Sequence, residues 1–262
     1  MTVKLIASDM DHTLLTENGQ LPPNFVPTIR QLYRRGILFA AASGRPMYTL
    51  RQMFPELANM MIYVSDNGAT IAYQGQTLFK SLLPLVDYQR MIEFVNQIPG
   101  GIGVICGMDA AYVETQYQNY DAILRQFYTN IKYVPDLTQV RVEANKFTIY
   151  FPGKDSQKQY DAIFAPQFAA DFSVTVAGVE WIDIMNQGIN KGHAMNLLAD
   201  HLHITPAAMM AFGDTYNDKE MLQTVKYSYL MGNASDEMAE YANYRADTNE
   251  NYGVLKEIQK LL

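Results

Sequence analysis

Leu5-Ile6-Ala7-Ser8-Asp9-Met10-Asp11-His12-Thr13 is the stretch whose reading decides the fold of this chain. An apolar run of the kind that fills a buried strand delivers two carboxylates, one residue apart, into a turn that opens with Thr13. Residues i and i+2 of a strand face the same side, so Asp9 and Asp11 can address one bound atom from a strand end. That geometry suits a nucleophile and a proton carrier acting on a single oxygen or phosphorus. Alone, an Asp-x-Asp pair at a turn also has a plain structural explanation, because Asp forms turns and caps helices. Its meaning rests on the clusters found further along.

Working outward, the first third alternates strand and helix. Strands are expected at 3–8, 37–42 and 60–65, with a helix near 24–35 that carries Phe25, Val26, Ile29 and Leu32 and is closed by Gly36. Strand, helix, strand implies a parallel sheet. A hairpin follows, Ala69–Tyr73 against Thr77–Lys80, turning at Gln74-Gly75-Gln76. From about Pro84 to Gln187 the pattern changes: strands are expected at 102–106, 111–114, 147–151, 172–176 and 181–185, with helices near 86–97, 117–129 and 155–165. This reads as an inserted second domain, 84–187, within a first domain made of 1–83 and 188–262. Beyond Gly188 the alternation resumes, with helices at 191–202, 217–223, 235–241 and 253–262 and strands at 208–212 and 227–231. The tyrosines and Trp181 of the insert could line a sugar pocket, but aromatics in so small a domain more commonly form its core.

Three further polar clusters stand at strand or helix ends. Ser43-Gly44-Arg45 follows the apolar strand ending at Ala42, where a small hydroxyl and a glycine let backbone N–H groups approach an anion. A helix N-cap at Ser43 and a surface ion pair at Arg45 are the competing explanations. Lys191 opens an amphipathic helix at the end where the macrodipole disfavours a cation, which makes sense if it faces an anion; the competing reading is a solvated side chain. Gly213-Asp214-Thr215-Tyr216-Asn217-Asp218 places two carboxylates and an amide after a strand, a donor set suited to a hard cation. In an open parallel sheet, ligands bind at the carboxyl ends of the strands, so Asp9, Asp11, Ser43, Asp214 and Lys191 can converge there. Three carboxylates a few ångströms apart repel by ~4 kcal/mol per pair at an effective dielectric of about 20, so Asp9, Asp11 and Asp214 imply a divalent cation. Oxygen-only ligands make Mg2+ the first choice.

Bulk properties narrow the partners. The 262 residues are 48% hydrophobic and 18% charged, values of a globular protein able to bury a core. With 27 acidic against 20 basic residues, the net charge of −7 argues against nonspecific binding to nucleic acid or an anionic membrane. Cys106 is the only cysteine, which excludes an intramolecular disulfide framework and multi-cysteine metal sites and fits a reducing, cytoplasmic setting. No secretory leader and no run of ~20 apolar residues is evident. The four histidines include no His-x-x-x-His pair, so zinc hydrolase chemistry has little support, and His201 and His203 read as helix-end polar residues.

The ordered set Asp9-Met10-Asp11-x-Thr13, Ser43-Gly44-Arg45, Lys191 and Gly213-Asp214-x-x-Asn217-Asp218 resembles the haloacid dehalogenase (HAD) superfamily. With an insert of about a hundred residues between the second and third motifs, and an Asn67-Gly68-Ala69 turn after the third strand, it looks like the Cof-type sugar phosphatases with an α/β cap. The resemblance implies an α/β fold with a Rossmann-like parallel-sheet core and an inserted cap, and magnesium-dependent hydrolysis of a small phosphorylated metabolite through an aspartyl-phosphate. It makes Asp9 the nucleophile and Asp11 the acid and base. Asp9, the backbone carbonyl of Asp11 and Asp214 would bind magnesium. Ser43, Gly44, Lys191 and Asn217 would hold the phosphoryl oxygens, with Thr13 and Asp218 behind them, Asp218 steadying metal waters or Lys191. The protein would work as a monomer or weak homo-oligomer. A phosphotransferase or phosphomutase, and a phospho-ligand sensor without turnover, are the alternative readings. Family members usually have glycine where this chain has His12; the side chain either narrows the substrate range or points outward, and the outward reading is preferred.

Overall fold

The computed structural model describes residues 3–262. β1 (Leu5–Ser8), β2 (Leu38–Ala42) and β3 (Met61–Ser65) lie side by side in parallel, and the antiparallel β4 (Thr70–Tyr73) leads through Gln74 and Gly75 into β5 (Gln76–Lys80). Both turn residues have positive φ, 49° and 77°, as a two-residue hairpin loop of matching twist requires. The next six strands form a sheet of their own: β6 (Ile102–Gly107), β7 (Ala111–Glu114), β8 (Ile131–Val134), β9 (Ala144–Tyr150), β10 (Phe172–Val176) and β11 (Trp181–Asn186), in the order β10-β11-β9-β6-β7-β8. β12 (Met209–Gly213), β13 (Tyr227–Leu230) and β14 (Tyr244–Arg245) then rejoin the first sheet, giving β14-β13-β12-β1-β2-β3-β4-β5.

β1 is buried along its whole length and pairs in parallel on both sides, with Leu5 opposite Leu38 and Met209. An unbroken apolar run can occupy only such a doubly covered position. From β1 the chain builds outward to β2 and β3 on one side and, after the excursion, to β12, β13 and β14 on the other. The loops leaving β1, β2 and β12 therefore open around a topological switch point, where such sheets hold ligands.

Both faces of this sheet are packed. The Phe25–Arg34 helix buries Phe25, Ile29 and Leu32, a 4-then-3 spacing that makes one stripe, and stops before Gly36 at φ 72°. Phe25 meets Phe39 edge to face at 5.4 Å and Phe54 at 5.8 Å. On the other face Leu5, Ala7, Ala40, Ile62 and Val64 pack with Met195 and Leu198 of the Lys191–Leu202 helix. Full burial of each such large side chain is worth about 1.5–3 kcal/mol. That packing fixes where the helix begins, and hence where Lys191 stands.

The chain divides into two compact units: one holds the chain up to Gly44, Met53–Phe79 and Asn190–Leu262, the other Arg45–Gln52 and Lys80–Ile189. Within the second, β9 alternates. Phe147 and Ile149 join the core with Met91, Ile92, Phe164 and Phe168, while Tyr150 lies on the opposite side with Trp181, Tyr128 and Val104. Trp181, packed by Tyr150 at 4.6 Å and Phe127 at 5.0 Å, is a core residue. Lys146 and Asp183 form a buried ion pair at 3.1 Å, and Thr148 donates to Asp183 at 2.6 Å.

Several expectations need correction. The helix expected over 117–129 is a 3-10 stretch, Thr115–Tyr120, and one α turn, Asp121–Leu124. Thr115, Tyr117, Asn119 and Tyr120 are weak helix formers, and no apolar stripe is long enough to override them. β8 was absent from the sequence reading, although Ile131-Lys132-Tyr133-Val134 alternates; four residues give period-2 patterning little to act on. The Met47–Met53 helix after Pro46 was missed too, and 236–241 is 3-10 rather than α.

Candidate active site

β1 ends at Ser8, so Asp9 and Asp11 do not share a strand face as the i, i+2 argument supposed. They leave the sheet on a tight turn over Met10–Leu14 in which His12 adopts φ 57°. The Asp9 N–H still donates to Phe212 of β12 at 3.0 Å, which anchors this aspartate against the strand that leads to Asp214. The Asp9 side chain is only 6% exposed.

Lys191 is the centre of the charge arrangement. It is fully buried, with Nζ donating to Asp9 Oδ1 at 2.5 Å and to Asp218 Oδ1 at 2.7 Å. The solvated reading of this lysine is therefore overturned, and its position against the helix dipole is offset by two carboxylates. Asp218, also fully buried, turns its second oxygen to the backbone N–H groups of Asp214 and Thr215 at 3.0 and 3.3 Å. It thus completes a reciprocal cap with Thr215 while holding Lys191. Gly213 is required for this close approach: a Cβ there would lie 2.5 Å from that of Asp218. Thr13 donates to Asp214 Oδ1 at 2.8 Å, tying the turn after β1 to the loop after β12.

Asp9, Asp214 and Asp218 each offer a carboxylate oxygen within 4.8 Å of the others. Burial pushes the Asp9 carboxyl well above the usual range; Lys191 pulls it down, while Asp218, Asp214 and Asp11 push it up. Burial, then the Asp218 charge, raises Asp214 to about 7 despite the Thr13 hydrogen bond. Burial alone would lower Lys191, but Asp218 and Asp9 outweigh it and hold the ammonium charged. The carboxylates of this pocket outnumber its buried ammonium, and their donor set suits a hard cation. Asp11 is partly buried and near enough for its charge to act on both Asp9 and Asp214.

Ser43 is buried, donates its N–H to Val64 at 2.9 Å and accepts from the Asn67 N–H at 3.0 Å. It is not a helix cap, since the next helix starts at Met47. Gly44 follows it, half-buried. Arg45 donates to the Gln126 carbonyl at 2.6 Å and lies over the Phe127 ring. Asn217 is nine-tenths buried and donates from Nδ2 to Asn67 Oδ1 at 3.1 Å. His12 turns its ring to Glu17 at 3.1 Å with its side chain 59% exposed, and that bond lowers the Glu17 pKa. His203 ends its helix in the left-handed conformation. In the sequence Asn67 reads only as part of the Asn67-Gly68-Ala69 turn after the third strand, and its bond to Asn217 goes unread.

A buried lysine between carboxylates stands at the switch point of an open, mainly parallel α/β sheet, a donor set suited to holding an anion beside a hard cation. The model of the haloacid dehalogenase-like hydrolases matches residues 6–258, and the chain belongs to that family, with its Rossmann-like core and inserted α/β cap. It is 32% identical to a Streptococcus mutans UA159 protein of known crystal structure, with a TM-score of 0.93, over 99% of this chain and 98% of that one. It is 29% identical to the 5-amino-6-(5-phospho-D-ribitylamino)uracil phosphatase YbjI of Escherichia coli K12, over 100% of this chain and 97% of that protein. It is 27% identical to the HMP-PP phosphatase of Cronobacter sakazakii, over 90% of this chain and 86% of that protein. Among the described residues no helix is long and apolar enough to cross a membrane.

Proposed function

We propose that the chain is a magnesium-dependent phosphatase of small phosphorylated metabolites, sugar phosphates foremost, acting through an aspartyl-phosphate on Asp9. The observation that carries this reading is the Asp9–Lys191–Asp218 arrangement, a buried carboxylate held on one oxygen by a fixed cation. A relative named for a phosphate on a ribityl chain supports the substrate class. The all-oxygen set of Asp9 and Asp214, with Asp218 behind them, fits a hard dication. Asp9, the Asp11 carbonyl and Asp214 would hold it, and when bound it supplies positive charge to the phosphoryl oxygens.

Asp9 Oδ2, the oxygen not bonded to Lys191, forms the new O–P bond as the ester P–O bond breaks. Asp11 gives its proton to the departing oxygen, so the leaving group departs as a neutral alcohol. Asp11, now a carboxylate, takes a proton from water as that water attacks phosphorus and frees Asp9 and inorganic phosphate. Ser43, the Gly44 N–H, Lys191 and Asn217 donate to the phosphoryl oxygens where negative charge accumulates. Residues 84–187 act as the domain that selects the leaving group, on a hydrolase core of 1–83 and 188–262. Phosphate released should equal ester consumed; a shortfall matched by a new phosphorylated product would mean transfer to a hydroxyl instead, and saturable binding without release would mean a sensor.

Two further outcomes follow from the electrostatics. Asp214 binds its proton more tightly folded than unfolded, so the metal-free protein loses stability as pH rises from the ordinary 3.8 towards about 7 and levels off above. A dication removes that cost. The rise in Tm on adding magnesium, against a chelator reference, should be larger near pH 8 than near pH 5, and equal rises would contradict this. His12→Ala should leave the alkaline-limb group of the pH–rate profile in place, because the imidazole faces Glu17. Loss of that group would transfer the proton-donor role from Asp11 to His12.

A further inference from the structure

We propose that Asn67 is a positioning residue for the phosphoryl-binding groups, a role that rests on the reaction proposed above. Asp66 and Asn67 are consecutive non-glycine residues in the left-handed region, at φ 50° and 55°, and both are 1% exposed. Such backbone persists only where surrounding contacts over-determine it. Here the contacts lead to three separate segments of the site. The Asn67 N–H donates to the Ser43 carbonyl at 3.0 Å, and its Oδ1 accepts from Asn217 Nδ2 at 3.1 Å. Gly68, at φ 101°, lies so near Asn190 that a Cβ would meet the Asn190 carbonyl oxygen at 2.5 Å; Asn190 directly precedes Lys191 and caps its helix.

An Asn-Gly turn has an ordinary explanation, since the pair tolerates positive φ and bonds its own backbone. That explanation does not account for an Asn67 oxygen that engages a residue 150 positions away. Nor does it account for Asn217, nine-tenths buried, whose Oδ1 has no partner among the described residues. A buried amide oxygen with no partner calls for an explanation beyond local packing; it can accept from a hydroxyl or water, while a phosphoryl oxygen can be met only by the amide N–H that Asn67 does not take. Asn67 grips one N–H of the Asn217 amide, which fixes the direction of the other N–H and of Oδ1. One N–H then points to an acceptor such as a phosphoryl oxygen, and the same turn holds the Ser43 backbone in register with it.

Glycine at position 67 keeps the left-handed backbone and removes only the side chain, so Asn67→Gly separates the grip from the strain. With p-nitrophenyl phosphate and magnesium, Asn67→Gly should lower kcat/KM and the affinity for inorganic phosphate by about tenfold with the folded state retained. Asn217→Ala should lose at least as much, and the double variant should fall no more than about twofold below Asn217→Ala alone. Calorimetric binding of inorganic phosphate separates this proposal from the reaction beneath it. Wild-type protein that binds phosphate yet frees none from esters contradicts the reaction. Wild-type affinity and kcat/KM in Asn67→Gly, or losses that multiply in the double variant, contradict the role of Asn67.

Discussion

Asp9→Asn is expected to abolish ester turnover, by at least about 10⁴-fold in kcat, while leaving the fold intact. Asparagine matches aspartate in shape but its amide nitrogen cannot serve as the nucleophile, so the covalent route closes. The stability argument runs the opposite way. Burial raises the Asp9 carboxyl well above its ordinary range, with Asp218, Asp214 and Asp11 adding to the rise and Lys191 opposing it. A carboxyl whose folded pKa lies above its unfolded one destabilises the native state at neutral and higher pH. The neutral amide removes that cost and retains an oxygen to accept from Lys191. Metal-free Asp9→Asn should therefore melt at or above the wild-type Tm near pH 8, read by calorimetry alongside turnover. Wild-type turnover in this variant, across a panel of phosphate esters, would end the covalent mechanism.

Lys191→Met should be damaging in both respects. The thioether matches the lysine stem in length, but Asp9 and Asp218 lose the cation that each contacts within 2.7 Å. Removing one partner from a buried ionic arrangement costs about 3–5 kcal/mol, because the remaining charges stay desolvated and unpaired. In a chain of this size, that corresponds to a fall in Tm of roughly 6–20 °C. The loss should shrink as pH is lowered, since the Asp9 carboxyl, already raised by burial, takes up a proton and no longer repels its neighbours. Activity should fall at least about 10²-fold as the phosphoryl oxygens lose their fixed positive charge. A variant with wild-type Tm near pH 8 would show that Lys191 does not balance these carboxylates in solution.

Much of the site was legible because its chemistry stands where apolar runs end. Leu5–Ser8, Leu38–Ala42 and Met209–Gly213 are buried strands of one parallel sheet, and each hands over to a polar cluster at the same edge. What local pattern could not carry was partnership. Lys191 at a helix start looks like a solvated cation by frequency; only the packing of Met195 and Leu198 on the sheet turns its side chain toward Asp9. Asn67 presents itself as a turn former, and its bond to Asn217 spans a separation that no window sees. The i, i+2 argument for Asp9 and Asp11 failed for a different reason. His12 takes a left-handed conformation, and the chain leaves the strand one residue before the first carboxylate. In the second unit, weak propensity in Thr115–Tyr120 and the brevity of Ile131–Val134 hid the true elements.

The most direct test is chemical trapping of the enzyme during turnover. Acid quench of wild-type protein with magnesium and a phosphate ester, followed by borohydride reduction and peptide mass spectrometry, should find an acyl phosphate reduced at Asp9 alone. The Asp9→Asn protein should show none. Reduction at another carboxylate, or steady turnover with no reducible aspartate, would contradict a pocket organised around Asp9 as nucleophile.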